Sequence, residues 1–159
     1  MELYFLRHGI AADEGPADSG DEGRPLTEQG IKKLKEAARG LRRLDVRPEI
    51  VLSSPLVRAR QTAEIVRKSF GVESRLVDAL APGCDMARLC DLLGEYRSAE
   101  SLMLVGHEPD FSMLIGELTG GSRVRLKKGG LARVDLDTIE EDAGTLIWLL
   151  PPHALRQAG

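Results

Sequence analysis

The sequence predicts an α/β fold of three layers, a mostly parallel central sheet flanked by helices, with a late antiparallel hairpin. Three observations predict it. Strand-like and helix-like segments alternate along the chain. Three of the strand-like segments are short, nearly continuous apolar runs, the pattern of strands covered on both faces. The last two strand-like segments are joined only by a turn-like stretch, which is enough to pair them antiparallel. A chain of 159 residues fits one domain, 1–159, long enough to bury a core without disulfides or metal.

The elements follow in order. Leu3-Tyr4-Phe5-Leu6 is the first apolar run. Residues Ala12 to Pro25, rich in Gly, Asp, Glu and Pro, read as a surface loop, and loops this long are often lids or binding loops. Thr27 is then placed to cap a helix with Ile31, Leu34, Ala38 and Leu41 on one face. Lys32, Lys33, Lys35, Arg39 and Arg42 occupy its other face, the pattern of a solvated surface. Ile50-Val51-Leu52 is the second buried strand. Ser54 as N-cap and Pro55 at the first helical position open the next helix. Its apolar face is Leu56, Ala59, Ala63, Val66 and Phe70, with Arg58 and Thr62 on a different face near its start. Ser74 to Val77 is a weaker strand candidate, and Met86, Leu89, Cys90 and Leu93 mark a short amphipathic helix. Ser101 to Val105 is the third strong strand. It runs into Gly106-His107-Glu108-Pro109, where Pro109 starts a helix with Phe111, Leu114, Ile115 and Leu118 inside. Leu131 to Leu136 and Thr145 to Leu150 form the predicted hairpin, and a polar tail follows.

Composition narrows the function classes. A formal net charge of −3 gives no reason to expect nucleic acid or an anionic membrane as partner. The apolar run Leu146 to Leu150 is far too short to span a bilayer. The first strand begins within two residues, with no charged leader or cleavage-site pattern, so no signal peptide is expected. Cys84 and Cys90 are the only cysteines and read as free thiols in a reducing, cytoplasmic setting. Zinc would need more ligands close together, and the three histidines are scattered, so neither metal nor cofactor is expected.

Three segments share one plan of apolar strand, sharp polar turn and helix: Leu6-Arg7-His8-Gly9, Leu52-Ser53-Ser54-Pro55-Leu56-Val57-Arg58, and Val105-Gly106-His107-Glu108-Pro109. In open α/β sheets, ligands bind outside the carboxyl ends of the strands. Parallel neighbours would bring two histidines and two arginines to one rim. Taken singly each residue is ordinary; Arg60, with the same chemistry as Arg58 on another helical face, is read as structural. The set as a whole suits phosphoryl transfer, whose transition state spreads negative charge over equatorial oxygens. Guanidinium forks match phosphate geometry. A neutral imidazole with one nitrogen held by an acceptor keeps a lone pair on the other, and a second imidazole, if protonated, adds a donor. Gly9 allows close backbone approach and a turn conformation barred to other residues.

These segments, with Arg24-Pro25-Leu26-Thr27-Glu28-Gln29-Gly30 and the continuation Ala59-Arg60-Gln61-Thr62-Ala63, resemble the histidine phosphatase superfamily, and more narrowly its short phosphohistidine phosphatase branch. The resemblance covers nearly the whole chain in order. It implies a phosphoglycerate-mutase-like fold, His8 as the phosphorylated nucleophile, Arg7, Arg58 and His107 completing the phosphate pocket, and no metal. It also exposes a departure. Larger members carry a glutamate after the third strand that protonates the leaving group, whereas Leu76 to Pro82 offers only Asp78. Asp78 is therefore the candidate leaving-group acid, although a loop aspartate commonly just forms a turn. An imidazole, with a pKa of about 6.5, leaves far more readily than an alkoxide, so a weak or absent acid favours phosphohistidine on a partner protein of the histidine phosphotransfer type. The short chain, without room for lid insertions, suits such a substrate too. Arg24, at the end of the long loop, is the candidate for shaping the pocket entrance. Two alternatives stand beside this reading. One is a phosphatase or mutase acting on a small phosphate ester, for which Arg123-Arg125-Lys127-Lys128 is the only further basic run, itself read as a solvated edge or loop. The other is a non-catalytic phosphate-binding module, against which His8 argues. His153 receives no role.

Overall fold

The computed structural model describes residues 1–159. Its strands are β1 (Glu2–Arg7), β2 (Ile50–Ser53), β3 (Glu73–Leu76), β4 (Ser101–Gly106), β5 (Leu131–Leu136) and β6 (Gly144–Leu150). All six join one sheet in the order β3-β2-β4-β1-β5-β6. The first four run parallel; β5 pairs antiparallel with β1, and β6 antiparallel with β5. The helices are α1 (Glu28–Arg43), α2 (Val57–Phe70), α3 (Met86–Glu95), α4 (Asp110–Leu118) and α5 (Pro152–Gln157).

Successive strand side chains point to opposite faces, so each central strand serves two cores. Leu3 and Phe5 of β1 and Leu102 and Leu104 of β4 enter the apolar cluster covered by α3 and α4. Tyr4, Leu6, Met103 and Val105 enter the one covered by α1, α2 and α5. Both faces are dry, which is why these strands read as unbroken apolar runs. The weaker candidate, β3, is an edge strand with mostly exposed side chains.

Local chemistry explains most boundaries. Thr27 Oγ1 accepts from the Gly30 amide at 2.9 Å and caps α1, as expected. The buried face of α1 differs from expectation. It runs through Gly30, Leu34, Ala37, Ala38, Gly40 and Leu41, and Ile31 is only half-buried. The reason is α5, which the sequence reading left as a tail. Leu155 of α5 is wholly buried, and a Cβ on Gly40 would lie 1.8 Å from the Leu155 carbonyl oxygen, so only glycine admits the contact. The start of α2 also differs. Leu56, not Ser54, is the N-cap residue, and the helix begins at Val57 instead of Pro55. The Ser54 hydroxyl is drawn instead to His107, and the Val57 amide is taken by the Glu22 carbonyl.

Register brings the three strand ends level. Arg7 lies opposite Gly106, and Ser53 opposite Val105. Just past the ladder, the His8 amide donates to the Gly106 carbonyl (3.1 Å) and the Ser54 amide to the Val105 carbonyl (2.9 Å). The chain thus leaves three neighbouring strands at one rim.

Candidate active site

That rim gathers the expected set. His8, Arg58 and His107 are 6%, 6% and 4% exposed, an unusual depth for such side chains. The His8 and His107 rings stand 5.3 Å apart between centroids. Arg7 is half-buried beside them and donates from Nη1 to the Leu126 carbonyl at 2.9 Å. Its backbone is gripped by the turn before β5: the Gly130 carbonyl accepts from its amide, and the Gly129 amide donates to its carbonyl.

His8 Nδ1 lies 2.8 Å from the Gly9 carbonyl, which can only accept, so Nδ1 carries the proton and Nε2 keeps its lone pair. Burial pushes the His8 pKa down to about 3; the Gly9 carbonyl opposes the shift, while His107, Arg58 and Arg7 reinforce it. The ring is neutral at neutral pH. Gly9 has no positive φ, so the turn conformation expected of it is not what requires glycine here. Space is the requirement: a Cβ there would stand 2.4 Å from Leu34 Cδ1. The Gly9 amide donates to Thr62 Oγ1 (3.1 Å), and the Thr62 hydroxyl donates to the Arg58 carbonyl one helical turn earlier (2.7 Å). Thr62 thereby ties the His8 turn to the helix that carries Arg58.

His107 Nε2 lies 2.7 Å from Ser54 Oγ. Ser54 accepts from the Leu56 amide at 3.3 Å, and its hydroxyl can donate or accept; when it donates to Nε2, the imidazole proton sits on Nδ1. Burial, and then Arg58, lowers the His107 pKa to about 4, with Asp110 and Asp21 pulling the other way. The second imidazole, which adds a charged donor if protonated, is thus a neutral ring in the free protein. Arg7 Nε and His107 Nδ1 are the only buried side-chain nitrogens or oxygens without a hydrogen-bond partner in the whole chain. Buried polar atoms are almost always paired, so two orphans on residues of one rim are unused hydrogen-bonding capacity at that place.

A family model described as the histidine phosphatase superfamily (branch 1) matches residues 3–82, just over half of the chain. The chain belongs to that superfamily. An uncharacterized protein of Picosynechococcus sp. is 40% identical over 140 residues, 82% of each chain. The phosphohistidine phosphatase SixA of Escherichia coli is 31% identical over 163 residues, covering 99% of this chain and 98% of that one. The structure of the protein histidine phosphatase SixA complexed with tungstate superposes with a TM-score of 0.86 at 29% identity, covering 98% of this chain and 99% of that one. The superfamily assignment, its SixA-like branch and the phosphoglycerate-mutase-like sheet agree with the sequence reading.

The remaining candidates fall outside the four-residue cluster of this histidine phosphatase. Asp78 is exposed at the start of a single 3-10 turn, Asp78–Leu80, and its carboxylate makes no hydrogen bond or ion pair with any of the four. Arg24 meets the cluster at one remove. It donates to the Ala12 carbonyl (2.7 Å) and to Asp21 Oδ1 (2.7 Å), and Asp21 in turn holds Arg58. Arg60 is exposed, as its helical face dictates. No three His, Cys, Asp or Glu side chains form a metal-binding group. Sequence reasoning missed Ser54, taken for a helix cap, and Asp21. Thr62 was legible in part, since four residues on from Arg58 places it on the same side of α2.

Proposed function

We propose that this histidine phosphatase hydrolyses phosphohistidine on a partner protein of the histidine phosphotransfer type, through a phosphoenzyme on His8 Nε2. The observation that carries the reading is the neutral His8 imidazole, its Nε2 lone pair kept free by the Gly9 carbonyl, at a rim where Arg7 Nε and His107 Nδ1 are the buried polar atoms left unpartnered. In the first step the Nε2–P bond forms as the substrate N–P bond breaks. The leaving imidazole takes the bond's electron pair and keeps the proton on its other nitrogen, so it departs neutral without a protein acid. Asp78, apart from the cluster, is not needed for it. In the second step water attacks phosphorus, His8 leaves, and the water's proton passes to the freed phosphate or to solvent. Arg7 and Arg58 supply the positive charge, so the proposed mechanism is metal-independent. An arriving dianion favours protonated His107, which adds charge at the moment it is needed. We place the reaction in the cytoplasm. No helix is long and apolar enough to cross a membrane, and Cys84 and Cys90 are free thiols.

Labelled phosphohistidine protein, mixed with the chain and quenched rapidly, should give an acid-labile, base-stable phosphoenzyme absent from His8→Ala. Hydrolysis by His8→Ala at the native rate would refute the reading; anion binding without turnover would make the chain a binding module. One observation favours a small-ester substrate as second reading. Lys33, Lys127, Lys128, His153 and Arg156 border a cavity of about 220 Å³ that Gly9 also lines, joining two lysines of the basic run noted in the sequence to residues far from it in the chain. Faster turnover of an alkyl phosphomonoester than of phosphohistidine protein would decide for it.

A further inference from the structure

We propose that Asp21 is the positioning residue for Arg58, setting the pocket guanidinium from the long loop between β1 and α1. The inference rests on the reading of Arg58 as part of the phosphate pocket. A guanidinium presents five N–H donors in a planar fork. Asp21 takes two of them, its carbonyl accepting from Nη1 at 2.7 Å and its Oδ2 from Nη2 at 2.9 Å. Two acceptors on one planar group fix its rotation as well as its place. No other protein acceptor engages the guanidinium, so three N–H groups remain for a ligand.

The contact is not a meeting of two surface charges. The Arg58 side chain is 7% exposed and the Asp21 side chain 59%. A buried cation without a counter-charge is costly, and Arg58 shares its pocket with Arg7 and two imidazoles that offer none. Asp21 is itself held. Its other oxygen accepts from Arg24, whose Nε donates to the Ala12 carbonyl, and the Ala12 amide donates to the Pro25 carbonyl (2.8 Å) to close the loop's neck. Next door, the Glu22 carbonyl accepts from the Val57 amide (3.1 Å) at the start of the helix bearing Arg58. Arg24 and Arg58 both hold the Asp21 carboxylate below its ordinary pKa, so it remains charged through neutral pH.

Asp21 acts on phosphate in two opposed ways: its charge repels the anion, and its grip presents Arg58 correctly. Ground-state affinity therefore changes little on its removal, while the transition state, which needs the fork in place, suffers. With acetyl phosphate as donor, Asp21→Ala should slow phosphoenzyme formation about ten- to a hundredfold, the order expected for a misplacement of about 1 Å, with KM within about threefold of native. Asp21→Asn, which keeps an oxygen for Nη2, should recover most of the rate. In an Arg58→Lys background, where no fork remains to be set, Asp21→Ala should cost less than about twofold further. Native-rate phosphorylation of Asp21→Ala, an Asn variant no better than Ala, or an equal loss in both backgrounds would overturn the proposal. A native chain that forms no phosphoenzyme would refute the functional reading instead. The side-chain nitrogen spectrum of Arg58 then tests the grip alone: Nη signals resolved in the native chain and averaged in Asp21→Ala support it, and signals averaged in both overturn it.

Discussion

Gly9→Ala tests whether the His8 turn is held by space alone. The new Cβ would stand 2.4 Å from Leu34 Cδ1, 3.0 Å from its Cγ and 3.2 Å from Leu26 Cδ2. Ordinary carbon contacts lie near 3.8 Å, so the turn and the Leu34 side chain must part by roughly 1.4 Å. Leu34 and Leu26 are 4% and 5% exposed, and the one opening beside them is the cavity of about 220 Å³ that Leu34 and Gly9 both line, so relief by a Leu34 rotamer change sets the lower end of the cost. Overpacking of this kind costs about 1–3 kcal/mol, which for a chain of this size lowers Tm by about 3–10 °C. The same displacement moves the carbonyl that orients His8, and a 1 Å error at a reacting group costs on the order of a hundredfold in rate. Thermal melts and rapid-quench phosphoenzyme formation read the two effects separately. Leu34→Ala removes the clashing atoms, so the double variant should recover at least about 1 kcal/mol relative to the sum of the single losses. A Gly9→Ala chain that melts within a degree of native and phosphorylates at the native rate would refute the reasoning.

Other outcomes follow from the same geometry. Folding lowers the pKa of His8 to about 3 and of His107 to about 4, both below the ordinary histidine value of about 6.5, so between those limits the unfolded chain binds more protons. Stability should be fully present above about pH 6.5 and fall as pH drops toward 4; urea melts across that range check it, and His8→Ala should flatten the slope. Ser54→Ala leaves His107 Nε2 buried without its partner, an expected loss of about 1–3 kcal/mol by denaturant melt, with slower phosphoenzyme formation. Thr62→Val keeps the shape but strips the Gly9 amide of its acceptor, and should cost a similar amount while leaving α2 intact by circular dichroism.

The four clustered residues were legible because three sit where an apolar run gives way to a polar turn and Arg58 opens the helix after such a turn, and parallel neighbours bring these turns to one rim. What surrounds them was not. Asp21 is one of five acids in the long loop, with Asp13, Glu14, Asp18 and Glu22, and nothing local marks the one that meets Arg58 thirty-seven residues away. Ser54 followed by Pro55 has the form of a helix start, and only the strand register reveals that its hydroxyl faces His107. The six-residue α5 holds a single fully buried side chain, too little for a periodic signal. Arg24 was noticed for its place at the loop's end, but its contact is with Asp21 and not with the cluster.

The placement of β1 at the centre of the sheet also governs how the site comes into being. Glu2 pairs with Ser101 on one side and Asp135 on the other, so the strand that delivers His8 has no partner until most of the chain is present. Pairings across such separations form late and slowly, since loop closure must precede any gain from contact. Arg7 and His8 therefore meet Arg58 and His107 only once β1 has docked beside β4, whereas β2 and β4 pair directly and can bring Arg58 and His107 together before it. Competence at this site should arrive with the docking of β1.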